Sequence, residues 1–169
     1  MYFLCLNDES KRVAETLIYE YRKLYNLNTK IVRIFNTYGP YMCENDGRVI
    51  TNFINKIKKN EPIEIYGDGE QTRSFGYVDD IISGIVKMME SNESGPLNLG
   101  NPYCEVTLNK LVEIFETKMG KKIEVVYLPK TENDPTQRSP VIDKANQQLN
   151  WYPKISIEEG IDKMIHWFM

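Results

Sequence analysis

Lys30-Ile-Val-Arg-Ile-Phe35, running into Asn36-Thr-Tyr-Gly-Pro40, decides how the rest of the chain is read. The first six residues are β-branched and almost continuously apolar, the pattern of a strand covered on both faces in a parallel sheet. A polar loop at the C-terminal end of such a strand is where open α/β sheets build a ligand crevice. Ahead of it, Ala14, Leu17, Ile18, Tyr21, Leu24 and Tyr25 recur at helical spacing, with Asn7 or Asp8 as the expected cap and Asn26 to Asn28 as the end.

Beyond the loop, helices and short strands alternate. A helix is expected over Val49 to Lys59, with Phe53, Ile54 and Ile57 inward, then a strand over Ile63 to Tyr66 and a turn at Gly67-Asp-Gly69. Phe75 to Val78 reads as a strand, and Asp79 as the cap of a helix reaching about Glu90. Leu97 to Leu99 is a strand, and Thr107 caps a helix that Gly120 ends. A strand over Ile123 to Leu128 leads to a loop from Pro129 to Pro140. Asp143 to Leu149 is a short helix, and Ser156 with Glu159 forms a capping box for the last one. The class is α/β. Only Ile31 to Phe35 has the character of a doubly covered parallel strand, so residues 1–169 read as one incomplete unit, the second half of a larger sheet.

Composition narrows the function. With 169 residues, 41% hydrophobic and 27% charged, the chain is an ordinary soluble globular one. A net charge of -3 argues against nucleic acid as a partner and leaves room for small anions in a local basic pocket. The cysteines, Cys5, Cys43 and Cys104, are odd in number and lack metal-ligand spacing, so free thiols in a reducing, cytoplasmic setting are expected and no metal. Met1 to Leu6 is apolar but lacks a basic start and runs into Asn7-Asp-Glu9, unlike a signal peptide, and no run is long enough to cross a bilayer.

Several residues could carry chemistry. Lys11 lies one helical turn after Asn7; a lysine one turn after a tyrosine lowers the phenol's pKa, but asparagine cannot titrate, and periodicity alone makes Lys11 a solvated surface residue. Arg73, after the glycine turn, and Arg138, in the proline-punctuated loop, suit bidentate contact with phosphate oxygens, although each taken singly reads as an exposed arginine with an acidic neighbour. Arg48 follows Asn45-Asp-Gly47 and either meets a substrate carboxylate or ends a turn. His166, the one histidine, suits a surface or packing role near a helix C-terminus. Tyr19, Tyr21, Met88 and Met89 stand at helical positions that suit core or interface.

Taken in order, Lys11-Arg-Val-Ala-Glu-Thr16, Val32-Arg-Ile-Phe-Asn-Thr-Tyr-Gly-Pro40, Asn45-Asp-Gly-Arg-Val49, Tyr66-Gly-Asp-Gly-Glu-Gln-Thr-Arg-Ser-Phe75, Tyr77-Val78 with Asp80, Asn98-Leu-Gly-Asn-Pro102, and Asp134-Pro135 with Arg138 and Pro140 span nearly the whole chain. They resemble the C-terminal half of the extended short-chain dehydrogenases that act on nucleotide sugars, and within these the UDP-glucuronate decarboxylase family. The resemblance implies the last part of a Rossmann-type sheet, from about residues 1–40, and a nucleotide-sugar-binding part from 41–169 with segments returning to the sheet. It implies NAD as cofactor and a UDP-sugar as ligand. Lys11 would hold the nicotinamide ribose, Thr37 and Arg48 would lie by cofactor and substrate, and Asn36, Tyr66, Arg73 and Arg138 would contact the UDP-sugar. Lys11 and Arg48 are the residues it would place nearest the chemistry, and Tyr21 and Tyr25 would line the pocket or a dimer helix.

The chain departs from the family pattern where catalysis is concerned. The family's catalytic tyrosine falls on Asn7, its next glycine on Ser10, an arginine on Tyr41 and an acidic residue on Val141, and no Gly-x-x-Gly-x-x-Gly occurs. An amide cannot take up a proton as a phenolate does, so the expectation is a chain inactive alone. It would serve as a sugar-nucleotide-binding or dimerisation module, as one half of a split enzyme, or beside an intact homologue. A strand lacking its sheet neighbours is also expected to drive self-association.

Overall fold

The computed structural model describes residues 2–130 and 137–169, with side chains from Glu9 onward. The side chains of Cys5 and Asn7, and the pair Asp134-Pro135, lie outside the described residues. In chain order the elements are α1 (Tyr2–Tyr25), β1 (Val32–Ile34), β2 (Thr37–Tyr38), α2 (Val49–Lys59), β3 (Ile63–Tyr66), β4 (Thr72–Ser74), β5 (Gly76–Tyr77) and α3 (Val78–Glu90). There follow β6 (Leu97–Leu99), β7 (Glu105–Thr107), α4 (Leu108–Met119), β8 (Val125–Leu128), β9 (Gln137–Arg138), α5 (Asp143–Leu149) and α6 (Ile157–Phe168).

Helix α1 starts earlier than its sequence suggests, so Asn7 and Asp8 lie inside it rather than capping it. Asn26, in the left-handed region at φ 51°, ends it. Helices α2 and α5 occupy the expected residues, and Thr107 and Ser156 cap α4 and α6 by accepting from the amides of Lys110 and Glu159. Asp79 does not cap α3: Tyr77 holds that position without a side-chain bond. Gly120 closes α4 at φ 63°, as a left-handed residue after a helix should.

Three two-stranded sheets are parallel: β1 with β6, β2 with β5, and β3 with β8. Strand β4 lies between β7, antiparallel to it, and β9, parallel to it. Strand β1 is less covered than its apolar sequence suggests. Arg33 and Ile34 are exposed, Ile34 by 51%. Among the described residues β6 is its sheet partner on one edge, and no strand is paired along the other.

Two apolar clusters organise the packing. The larger joins α2, β3, α4 and α6 through Phe53, Ile57, Ile65, Leu111, Phe115 and Ile161. The smaller packs α3, β6 and α5 around Trp151 and includes Leu97, Leu99, Ala145 and Leu149. Asp80 joins them. Its buried carboxylate accepts from the amides of Lys154 and Ile155, both at 2.9 Å, and its carbonyl accepts from the indole of Trp151 at 2.9 Å. The segment leading into α6 is thereby fixed to the first turn of α3. A buried charge persists only when hydrogen bonded, and its loss strands the two amides.

Asp80→Ala should therefore lower unfolding stability by about 2–3 kcal/mol, read from the urea midpoint at constant m-value, with Asp80→Asn losing less. A loss under about 1 kcal/mol for Asp80→Ala would show that the carboxylate is not the joint between the two clusters.

Candidate functional site

The C-terminal ends of β1, β2 and β3 open on one cleft of about 1160 Å³, closed on the other side by β4, β9 and the start of α2. Of the residues singled out from the sequence, Lys11, Asn36, Thr37, Arg48, Tyr66, Arg73 and Arg138 all line it. They come from segments as far apart as α1 and β9. Tyr21 does not join them. It lies on the exposed side of α1, 54% accessible, with its ring 5.4 Å from that of Tyr25.

Each cleft residue is placed by local chemistry. Thr37 donates its hydroxyl to the carbonyl of Phe35 at 2.8 Å, and the carbonyl of Asn36 accepts from the amide of Gly76 at 2.8 Å, tying the loop after β1 to β5. Gly39 is needed there, because a Cβ would collide with the side chain of Val78. Arg48 precedes α2, its amide bound to Asp46 at 3.0 Å and its guanidinium 3.6 Å from the same carboxylate. Asp46 thus sets the turn and leaves Arg48 at the cleft wall. The Gly67-Asp-Gly69 turn is structural: at φ 79°, Gly69 faces Asn109, whose side chain donates to the carbonyl of Asp68 at 3.0 Å.

Arg73 and Arg138 are partners in the β4–β9 register, so their side chains leave neighbouring strands on the same face, with backbones roughly 5 Å apart. Sequence spacing did not show this, since 65 positions separate them along the chain. Gln71, also on the cleft, escaped notice although it stands two residues before Arg73, the strand period that puts both on one face. His166 is exposed on α6 and takes no part, and Met88 is buried while Tyr19 and Met89 are exposed.

The cleft offers hydrogen-bond donors and positive charge. Its buried tyrosine, Tyr38, is 2% accessible, and desolvation pushes its hydroxyl far above the ordinary range, so it stays protonated and supplies no phenolate. Burial likewise pushes the Cys104 thiol up to about 11, whereas Cys43 is exposed. Among the described residues no group of three or more acidic, cysteine or histidine side chains could hold a metal, and no helix is long and apolar enough to cross a membrane.

The family model for GDP-mannose 4,6 dehydratase matches residues 8–164. The chain belongs to this family. Over 158 residues it is 47% identical to UDP-glucuronic acid decarboxylase 1 of Arabidopsis thaliana, covering 94% of this chain and 36% of that protein. It is 45% identical to the corresponding decarboxylase of Xenopus tropicalis, over 95% of this chain and 38% of that one. The chain therefore spans little more than a third of these relatives. Among solved structures of dehydratase-family relatives, UDP-glucose 4-epimerase of Thermotoga maritima with UDP-glucose superposes with a TM-score of 0.88 at 29% identity, covering 94% of this chain and 51% of that one. UDP-glucuronic acid 4-epimerase of Bacillus cereus, in complex with UDP-glucuronic acid and NAD, gives 0.83 at 27% identity over 91% and 49%. The fold is part of an extended short-chain dehydrogenase, as the sequence suggested.

Lys11 reaches the cleft from α1. The guanidinium of Arg33 donates to both oxygens of Glu15, each at 2.7 Å, and this fork ties α1 to β1. The hydrogen bonds from Arg33 hold the Glu15 carboxyl below its ordinary 4.5. A lowered carboxylate pKa stabilises the folded state above the unfolded value, and that contribution disappears as pH falls through the lowered one. Glu15→Gln should accelerate amide exchange along α1 at pH 7 while leaving β3–β8 unchanged, and in the unaltered chain the same loosening should set in below about pH 4.5. Exchange in α1 indifferent to both changes would show that the fork does not hold the helix.

Proposed function

We propose that this chain is the nucleotide-sugar-binding part of a UDP-glucuronate decarboxylase-type protein and binds a UDP-sugar through its diphosphate. The observation that carries this reading is the register that sets Arg73 beside Arg138 on the cleft. Two guanidinium forks side by side match the spread oxygens of a diphosphate, and Asn36, Tyr66 and Gln71 add polar contacts around them. Arg48, across the cleft, suits the sugar carboxylate of a uronate. The decarboxylase relatives support the choice of sugar nucleotide.

NAD fits only in part. Lys11 offers donors, and Thr37, whose hydroxyl hydrogen is already given to Phe35, an acceptor oxygen, at the end of the cleft nearest β1, as a nicotinamide ribose would need. The sequence has no glycine-rich strand-turn-helix for the pyrophosphate, so the rest of the dinucleotide has no cradle in this chain. When bound, NAD supplies reversible hydride transfer. This chain's own residues orient the sugar and its phosphates and exclude water. Neither residue 7, an asparagine one turn before Lys11, nor Tyr38, which stays protonated, serves as a phenolate base. Residues 1–40 correspond in this reading to the edge of a dinucleotide-binding sheet, and 41–169 mainly to the sugar-nucleotide part.

Calorimetric titration with UDP should show binding, weakened about 10- to 100-fold by Arg73→Ala or Arg138→Ala, the usual loss for a charge-assisted contact. No heat with UDP at high protein concentration would overturn the reading.

A second role, association, is favoured by one specific feature. Val13, Leu17, Tyr21 and Leu24 project from α1 into solvent, each more than half exposed, on the helix that the Glu15–Arg33 pair ties to β1. Apolar surface of this kind drives pairing with a second copy, an intact homologue or further strands of such a sheet. The isolated chain should be larger than a monomer in light scattering at micromolar concentration, and Leu17→Glu with Leu24→Glu should shift it towards monomer. A monodisperse monomer before substitution would exclude self-association.

A further inference from the structure

We infer that Glu105 is the positioning residue of the arginine pair: from the opposite face of the β7-β4-β9 sheet it anchors β9 to β4 and so keeps Arg138 beside Arg73. The inference rests on the diphosphate reading of the cleft and adds to it a residue that never touches the ligand.

The register supplies the geometry. On β4, Thr72 and Ser74 alternate with Arg73, and their partners Thr107 and Glu105 on β7 and Gln137 on β9 alternate with Val106 and Arg138; Glu105 and Thr72 stand off the cleft, while Gln137 borders it. One oxygen of the Glu105 carboxylate accepts from the Thr72 hydroxyl on β4 at 2.6 Å and from the Gln137 amide on β9 at 2.6 Å. A single side chain of β7 thus spans the whole three-stranded sheet and grips each strand one residue before its arginine.

The sheet needs such a grip. The described part of β9 is two residues, a ladder too short by itself to offset the entropy of ordering it. Charge-assisted hydrogen bonds to a carboxylate are stronger than neutral ones and counter that cost. The bonds from Thr72 and then Gln137 hold the Glu105 carboxyl below its ordinary value, so the anchor remains ionised at neutral pH. Downstream, Asn98 donates to the carbonyl of Val141 at 2.9 Å and Pro140 is buried, so Glu105 and this contact bracket Arg138 from both sides.

The test is a double-mutant cycle on the full chain with UDP as the probe. Glu105→Ala should weaken UDP about tenfold, yet add less than about twofold in an Arg138→Ala background, because its effect passes through that arginine. Glu105→Gln, which keeps an acceptor oxygen, should stay within about threefold of the unaltered chain. Amide exchange at residues 137–139 should accelerate in Glu105→Ala while β3–β8 keeps its protection, which separates loss of the anchor from general unfolding. An unchanged UDP affinity in Glu105→Ala, or a loss that simply adds to that of Arg138→Ala, would overturn the inference while leaving the diphosphate reading intact. Absence of UDP binding by the unaltered chain would overturn both.

Discussion

The carboxylate of Asp80 is the joint on which the arrangement depends. One side chain in the first turn of α3 receives the two amides that lead into α6, while the carbonyl of the same residue receives the indole of Trp151. The larger cluster forms one wall of the cleft and the smaller supports β6, the only paired neighbour of β1 among the described residues. The relation between the β1 end and the arginine strands is therefore fixed at a point that does not touch the cleft. Tyr38 reinforces it, with its ring edge-on to Phe75 and Tyr77 at 6.2 and 5.6 Å.

Burial gives the cleft its chemical character. A phenol serves as a base near neutral pH only where the environment favours its charged form. Tyr38 meets the reverse, with desolvation first and then nearby acidic groups opposing ionisation. Cationic and amide side chains dominate the polar rim instead. Such a surface suits an anionic ligand, and Tyr38, held protonated, supplies no phenolate to it.

How much of this was legible in the sequence depended on length and layer. Helices α2 and α5 stood where apolar spacing put them, because each turn repeats the signal. Strands β2, β4, β7 and β9 went unseen, since two or three residues of mixed polarity contain too little alternation to recognise. The side chains around the cleft could be named from ordered motifs, but nothing in their spacing revealed that Arg73 and Arg138 share a register. Tyr21 stands outside the cleft, and sequence left it between pocket and dimer helix because its helix face looks the same whether it meets a pocket or solvent. Glu105 carried no signal, because its meaning lies in two partners 33 and 32 positions away.

Helix α1 has a mechanical consequence. Its 24 residues span roughly 36 Å, and the Glu15–Arg33 fork holds it near its middle like the pivot of a lever. Lys11 sits about 6 Å from that pivot and Tyr25 about 15 Å. A tilt of roughly 10° would move the lysine by only about 1 Å and the tyrosine end by about 2.5 Å. Whatever comes to cover the bare apolar side of this helix can swing its far end to fit and still leave the ammonium at the mouth of the cleft.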